Sequence, residues 1–118
     1  MNTQTLEKLD WIDAGAPEDF IPNAGIAVKA GERQIAVFYF SDTGEWYACQ
    51  NRCPHKGDML LARGLIGDKK SEPIVACPMH KKVFSLKHGG CLNDAAYSVD
   101  VYPVKIENER VLVGLPQV

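Results

Sequence analysis

Two short segments, each carrying one cysteine and one histidine, constrain this chain more than any other feature of its 118 residues. The first has the pattern C-P-H and supplies Cys53 and His55, and the second has the pattern C-P-M-H and supplies Cys77 and His80. Thiolate and imidazole are ligands that transition metals prefer. Four of them in two matched segments predict one shared metal centre. The fold must therefore bring two loops together, although 21 residues separate His55 from Cys77.

The way the ligands are divided between the segments favours an iron-sulfur cluster. In a Rieske-type 2Fe-2S centre, two histidines replace two cysteines on one of the two irons. Each segment would then give its cysteine to one iron and its histidine to the other. Structural zinc is the alternative, but its familiar spacings pair C-x(2-4)-C with H-x(3-5)-H. We expect the cofactor-binding and metal ligands to be Cys53, His55, Cys77 and His80.

The remaining two cysteines, Cys49 and Cys91, are expected to be reduced thiols, because four ligands already complete the cluster. The prolines that follow the ligand cysteines fix φ and remove a backbone donor, which suits tight, rigid loops. The Lys81-Lys82 pair directly after the last ligand has two interpretations, a solvated loop or a docking contact beside the cluster.

The apolar pattern predicts an all-β fold. Hydrophobic residues make up 46% of the chain and charged residues 24%, which is typical of an ordered globular domain. We therefore expect a single domain over 1–118, an antiparallel β sandwich or barrel in which about 51–86 form a small inserted cluster-binding subdomain. Within that insertion, 59–73 are rich in loop signals, and 14–23 are a second expected loop. The expected strands are Ile26–Val28, Ile35–Phe40, Trp46–Cys49, Ile74–Cys77, Val83–Leu86, Val99–Ile106 and Val111–Leu115.

Charge and motif content exclude several classes of function. The net charge of −2 provides no basic field for nucleic acid. No apolar run reaches the roughly 20 residues that span a bilayer, and the first residues lack the pattern of a secretory signal. We therefore expect a cytoplasmic protein with no membrane and no nucleic-acid partner. The chain also lacks a nucleophile motif, a phosphate-binding loop and a dinucleotide fingerprint, so it should not be catalytic by itself.

The two ligand segments, followed by Val83-Phe84-Ser85-Leu86 and Gly89-Gly90, resemble the Rieske ferredoxin-like superfamily. The stretch from NRCPHKGDMLLARGLIGD to CPMHKKVFSLKHGGCLND, with the closing YSVDVYPVKIENERVLVGLP, is most similar to the small subunits of bacterial assimilatory NAD(P)H nitrite reductase. The long interval between the two ligand segments supports this narrower resemblance. It implies an accessory electron-transfer subunit of an oxidoreductase that reduces nitrite to ammonium in nitrate assimilation.

The resemblance also implies a partner and a redox character. The partner would be a large sirohaem flavoprotein that carries FAD, sirohaem and a further iron-sulfur cluster. High-potential Rieske proteins have a disulfide at the positions of Asp58 and Met79 and a hydroxyl residue at the position of Lys82, so we predict a low potential here. Two alternatives remain: a free Rieske ferredoxin that serves an aromatic-ring dioxygenase, and a module whose metal site is purely structural.

Overall fold

The computed structural model describes residues 9–30, 33–52, 59, 61–69, 72–78, 82–94 and 96–116. Strands dominate this part of the chain, which confirms the prediction of an all-β fold. Apart from the strands it contains two 3-10 helices of three residues each, Pro17–Asp19 and Leu61–Arg63. Neither has the length or apolar composition to cross a membrane. The strands are β1 (Leu9–Gly15), β2 (Gly25–Ala30), β3 (Arg33–Phe40), β4 (Glu45–Gln50), β5 (Leu65–Lys69), β6 (Glu72–Ala76), β7 (Val83–Ser85), β8 (Val101–Tyr102), β9 (Val104–Glu107) and β10 (Arg110–Pro116).

The strands form three antiparallel sheets with the orders β1-β10-β9, β2-β3-β4-β8 and β5-β6-β7. The middle sheet lies between two hydrophobic cores. One core, here called the base core, joins it to the first sheet through Phe20, Ile35, Val37, Ala48, Val111, Val113 and Leu115. The other, here called the insert core, joins it to the third sheet through Ala36, Phe38, Cys49, Leu61, Ala62, Val75, Cys77, Phe84, Leu86, Cys91 and Val99.

Strand β3 is the centre of the fold because both of its faces are buried. Ile35 and Val37 enter the base core while Ala36 and Phe38 enter the insert core, and all four side chains are 0% exposed. The third sheet covers the face that would otherwise meet water. The middle sheet thus supports the inserted segment directly.

The loop-rich interpretation of 59–73 was wrong for its second half. Leu65–Lys69 forms β5 and pairs with Glu72–Ala76 in a hairpin whose register runs from Leu65 opposite Ala76 to Lys69 opposite Glu72. Glycines and charged residues hid this strand from pattern reasoning, because strand propensity depends strongly on the neighbours that a strand packs against. The predicted loop over 14–23 also begins too early, since β1 continues to Gly15.

Pro103 divides the strand predicted over Val99–Ile106. The chain forms β8 beside β4 before the proline and β9 beside β10 after it. Proline has no backbone donor for a sheet ladder, so it suits this transfer between sheets. The carbonyl of Pro103 still accepts a hydrogen bond, from the Gly114 amide of β10 at 2.9 Å.

One end of the β6–β7 hairpin is fixed by a network of polar side chains. The Glu72 carboxylate accepts a hydrogen bond from the Ser85 hydroxyl at 2.6 Å and lies 2.8 Å from His88 Nε2. The hydrogen bond from Ser85, with a smaller contribution from His88, lowers the pKa of Glu72. The predicted ligand segment that begins with Cys77 lies at the opposite end of this hairpin.

Candidate metal centre

Cys77 is the predicted ligand that the structure describes, and it follows the last residue of β6. Its side chain is 1% exposed and belongs to the insert core. Its amide donates to the Lys82 carbonyl at 2.8 Å, one step beyond the pairing of Ala76 with Val83. The β6–β7 ladder therefore fixes the backbone at the start of the second ligand segment. The other predicted ligands, Cys53, His55 and His80, lie outside the described residues.

The residues on either side of the first two predicted ligands are paired with each other. Arg52 and Met59 form an antiparallel bridge, and Cys53 and His55 lie between them in the sequence. Arg52 follows β4 by two residues. Each ligand segment is thus anchored at a paired backbone position.

Asn51 connects this anchor to the rest of the fold. Its Oδ1 accepts the Ala62 amide at 2.7 Å, and its Nδ2 donates to Gln34 Oε1 at 3.1 Å. Its backbone amide donates to the Gln34 carbonyl at 2.9 Å, while its carbonyl accepts the Leu61 amide at 3.0 Å. Only 2% of this polar residue is exposed, so these partners replace the water it has lost. The sequence reasoning missed Asn51, because no periodicity marks a residue whose role is to join two loops.

Gly64 packs closely against the end of β6, just before Cys77. A Cβ atom at this position would lie 2.3 Å from the Ala76 carbonyl oxygen and 2.9 Å from Val75 Cγ2. The chain leaving the first segment therefore touches the backbone immediately before Cys77. Leu61 and Ala62 enter the same core as Cys77. The convergence that the two Cys/His segments required is present in the residues around them.

Lys82, the second lysine of the pair, contacts other residues of this chain. Its Nζ forms an ion pair with Asp94 at 2.9 Å and lies 5.7 Å from the centre of the Tyr97 ring. The hydrogen bond to Asp94 raises the pKa of this lysine. Lys82 is therefore engaged within the chain and supports the second ligand segment. Lys81 lies outside the described residues.

A comparison with protein families decides what kind of site these anchors serve. The family model for a Rieske-like 2Fe-2S domain matches residues 10–114. The chain belongs to the Rieske-like 2Fe-2S domain family. The predicted resemblance to that superfamily is confirmed.

Individual relatives of this Rieske domain point toward nitrite reductases. The chain is 31% identical to the NADH nitrite reductase small subunit of Escherichia coli K12, over 83% of this chain and 91% of that protein. It is 43% identical to the NAD(P)H nitrite reductase large subunit of Klebsiella oxytoca, over 84% of this chain but only 10% of that protein. The first two curated relatives are thus long proteins of which this chain spans about a tenth.

A solved structure gives the same result for the fold of the Rieske domain. An NADH-dependent nitrite reductase small subunit from Mycobacterium tuberculosis superposes with a TM-score of 0.87 at 33% identity, covering 93% of this chain and 98% of that one. Ferredoxins are also similar: the ferredoxin component of a naphthalene dioxygenase and salicylate hydroxylase system from Ralstonia is 32% identical over 90% of this chain. The predicted resemblance to nitrite reductase small subunits is confirmed.

The donor set of this Rieske domain fits the cluster that its family is named for. Among the residues that the structure describes, no group of three candidate ligands comes together. Three of the four predicted ligands lie outside those residues. Cys77 supplies a buried sulfur directly after β6, and Gly64, which follows the first ligand segment in the sequence, touches Ala76 next to it. Two thiolates and two imidazoles match the Rieske arrangement.

The two cysteines outside the predicted ligand set have distinct surroundings in the Rieske domain. Cys49 is 0% exposed on β4, and burial raises the pKa of its thiol to about 12. A thiol with so high a pKa is a poor nucleophile at neutral pH. Cys91 donates from Sγ to Asn93 Oδ1 at 3.1 Å. The three described cysteines, Cys49, Cys77 and Cys91, form no disulfide.

We expect Gly64→Ala to destabilise the Rieske domain by about 1–3 kcal/mol, because the new methyl group overpacks against backbone that cannot move independently of Cys77. Gly67→Ala is the matched control on the same hairpin, since nothing lies within 4 Å of a Cβ atom there. Urea unfolding of both variants beside the wild type tests this. Equal unfolding midpoints for the two variants would show that the contact with Ala76 is not tight.

Proposed function

We infer that this chain is the electron-transfer small subunit of an NAD(P)H nitrite reductase. The observation that carries the inference is the match to nitrite reductase small subunits over nearly their whole length, in sequence and in fold. The chain would be an accessory part of an oxidoreductase, and turnover would require its partner. We also retain the proposal of one domain over 1–118 with a cluster-binding subdomain at about 51–86.

The residues proposed to hold the cofactor have separate roles. A Rieske-type 2Fe-2S cluster supplies one-electron redox chemistry when it is bound. Cys53 and Cys77 would hold one iron as thiolates, and His55 and His80 would hold the other through imidazole nitrogen. The support for this assignment is that Gly64, which follows the first ligand segment, touches Ala76, the residue before Cys77.

The proposed partner is a large sirohaem flavoprotein. It would carry FAD, sirohaem and a further iron-sulfur cluster, oxidise NAD(P)H, and reduce nitrite to ammonium in nitrate assimilation. The similarity of this chain to a tenth of a large nitrite reductase subunit supports such a partnership, because the same domain occurs within the larger protein. We propose a cytoplasmic location for the complex, with neither a membrane nor nucleic acid as a partner.

A free ferredoxin that donates electrons to an aromatic-ring dioxygenase is the second candidate function. The 32% identity to the Ralstonia ferredoxin component favours it. The nitrite reductase subunit is favoured because the Mycobacterium tuberculosis small subunit is 33% identical to this chain, whereas the ferredoxin of a carbazole dioxygenase from Nocardioides is 20% identical and shares only the fold.

The decisive experiment is reconstitution of the large nitrite reductase subunit of the source organism with this chain, purified without oxygen. We expect one 2Fe-2S cluster per chain, a Rieske-type EPR signal after reduction with dithionite, and a stable complex in which nitrite reduction by NADH or NADPH depends on the chain. Zinc in place of iron would refute the cofactor. Efficient electron transfer to a dioxygenase, without binding to the large subunit, would favour the ferredoxin.

The cluster is predicted to have a reduction potential near the low end of the Rieske range. The Lys82 carbonyl accepts the Cys77 amide, so this amide is committed to the backbone and is not available to a cluster sulfur. Fewer hydrogen bonds to sulfur leave the reduced cluster less stabilised. A spectroelectrochemical titration at neutral pH tests this, and a value near the top of the Rieske range, about +300 mV, would contradict it.

A further inference from the structure

A groove of about 350 Å³ opens beside the bridge at which the first ligand segment begins and ends. It lies at the edge of the middle sheet where β3 begins and β4 ends, on the face that packs against the base core. Met59 adds an apolar contact at its border and is 43% exposed. The residues that line the groove are Arg33, Gln34, Gln50, Arg52, Met59, Asp100 and Tyr102.

Two arginines, Arg33 and Arg52, line this groove. Strands β3 and β4 pair with Ile35 opposite Gln50, and the bond from the Asn51 amide to the Gln34 carbonyl extends the ladder by one more pair. The same register continued by one step places Arg33 opposite Arg52. Like charges directly opposite each other destabilise a sheet. The pair is therefore unfavourable for folding, and such local conflicts concentrate at functional sites.

In the described part of the chain, neither arginine forms an ion pair with an acidic residue. The ion pairs of arginine and lysine there involve Lys82, Lys105 and Arg110 instead. Gln50 is committed at both ends of its amide, because Nε2 donates to the Arg52 carbonyl and Oε1 accepts the Asp100 amide. The guanidinium groups of Arg33 and Arg52 are thus left as donors facing the groove.

Among the described residues that line the groove, positive charge prevails over negative. They include one carboxylate, that of Asp100, and two arginines. Burial raises the pKa of Tyr102, Asp100 raises it further, and Arg33 acts in the opposite direction, so these three groups share one local field. An arginine fork binds a carboxylate through two parallel hydrogen bonds, which gives geometric specificity as well as attraction.

We propose that Arg33 and Arg52 form a docking site for a carboxylate-bearing segment of the redox partner. The proposal rests on the proposed function, since that partner is the large nitrite reductase subunit. Arg52 immediately precedes Cys53, so a partner seated in the groove lies beside the predicted first ligand segment. Its carboxylates would neutralise two charges that repel each other in the free chain. Charge complementarity of this kind sets the association rate and the orientation of the encounter.

The test is binding of the cluster-loaded chain to the purified large subunit, measured by biolayer interferometry over a range of salt concentrations. The R33Q/R52Q variant is expected to bind at least about tenfold more weakly than the wild type at low ionic strength, with the difference shrinking as salt increases. The R33K/R52K variant, which keeps both charges, should retain most of the affinity. The R63Q/K87Q variant removes two positive charges from positions that do not line the groove, and it should bind as the wild type does.

Stability separates docking from a structural role for the arginines. Because like charges are removed, R33Q/R52Q should keep its iron and unfold at the same urea concentration as the wild type or a higher one. Loss of iron or of stability in this variant would assign the arginines a structural role and overturn the proposal. Wild-type affinity in R33Q/R52Q, or an equal loss in R63Q/K87Q, would also overturn it while the proposed function stands. Failure of the wild type to bind the large subunit would instead refute the proposed function, and the docking site with it.

Discussion

Replacing Cys77 with serine is expected to remove nearly all iron from the chain and to abolish its contribution to nitrite reduction. A serine hydroxyl is a harder and less acidic ligand than a thiol, and iron-sulfur clusters are held by thiolates. Cys77 is buried at the end of β6, so a neighbouring side chain cannot readily take its place. Loss of second-shell residues alone costs 10–100-fold in metal affinity, and loss of a ligand should exceed about 100-fold.

Cys91→Ser is the matched control for this experiment. Both cysteines belong to the insert core, and serine at position 91 can still donate to Asn93 Oδ1 as the thiol does at 3.1 Å. Iron content per chain and the visible spectrum, measured under anaerobic conditions, should be lost in the first variant and kept in the second. A Cys77→Ser chain that lacks iron yet still supports nitrite reduction would show that the metal site is purely structural.

The sequence predicted the architecture and the need for convergence more successfully than it predicted the details of the insertion. Short apolar runs bounded by turn residues indicated strands at β3 and β10, because a buried strand leaves a strong hydrophobic signal in the sequence. Strand β5 left none: its Gly67 and Asp68 are typical of turns, and the hairpin with β6 forms because the insertion packs on Ala36 and Phe38. Such tertiary contacts override local propensity.

The residues of the candidate site also fall into two groups: those that a sequence pattern predicts and those that only the fold reveals. Cysteine and histidine at short, matched spacings predicted Cys53, His55, Cys77 and His80 as ligands, because metal chemistry restricts residue types. The residues that hold the loops in place carry no such restriction. Asn51 and Gly64 became visible only through their contacts with Ala62 and Ala76. A buried amide that bonds two loops and a glycine beneath a carbonyl are defined by the fold around them.

Asn51→Ala is expected to destabilise the fold by about 1.5–4.5 kcal/mol. The substitution leaves the buried Ala62 amide without its acceptor, which costs about 1–3 kcal/mol. It also removes the hydrogen bond to the half-buried Gln34 Oε1, which contributes about 0.5–1.5 kcal/mol. Because Ala62 follows the first ligand segment and Asn51 precedes it, both ends of that segment should loosen. We therefore expect faster iron release to a chelator as well as a lower urea midpoint.

Gln34→Ala provides the control, because it removes one partner of Asn51 and leaves the bond to Ala62 intact. It leaves Asn51 Nδ2 without its acceptor and should cost about 1–3 kcal/mol, but it should release iron almost as slowly as the wild type. Urea titration followed by tryptophan fluorescence suits both variants, since Trp46 stacks on Tyr39 with ring centres 4.5 Å apart beside the base core. Equal iron-release rates in the two variants would mean that the acceptor for Ala62 does not hold the ligand segment, and that the bridge of Arg52 with Met59 does so by itself.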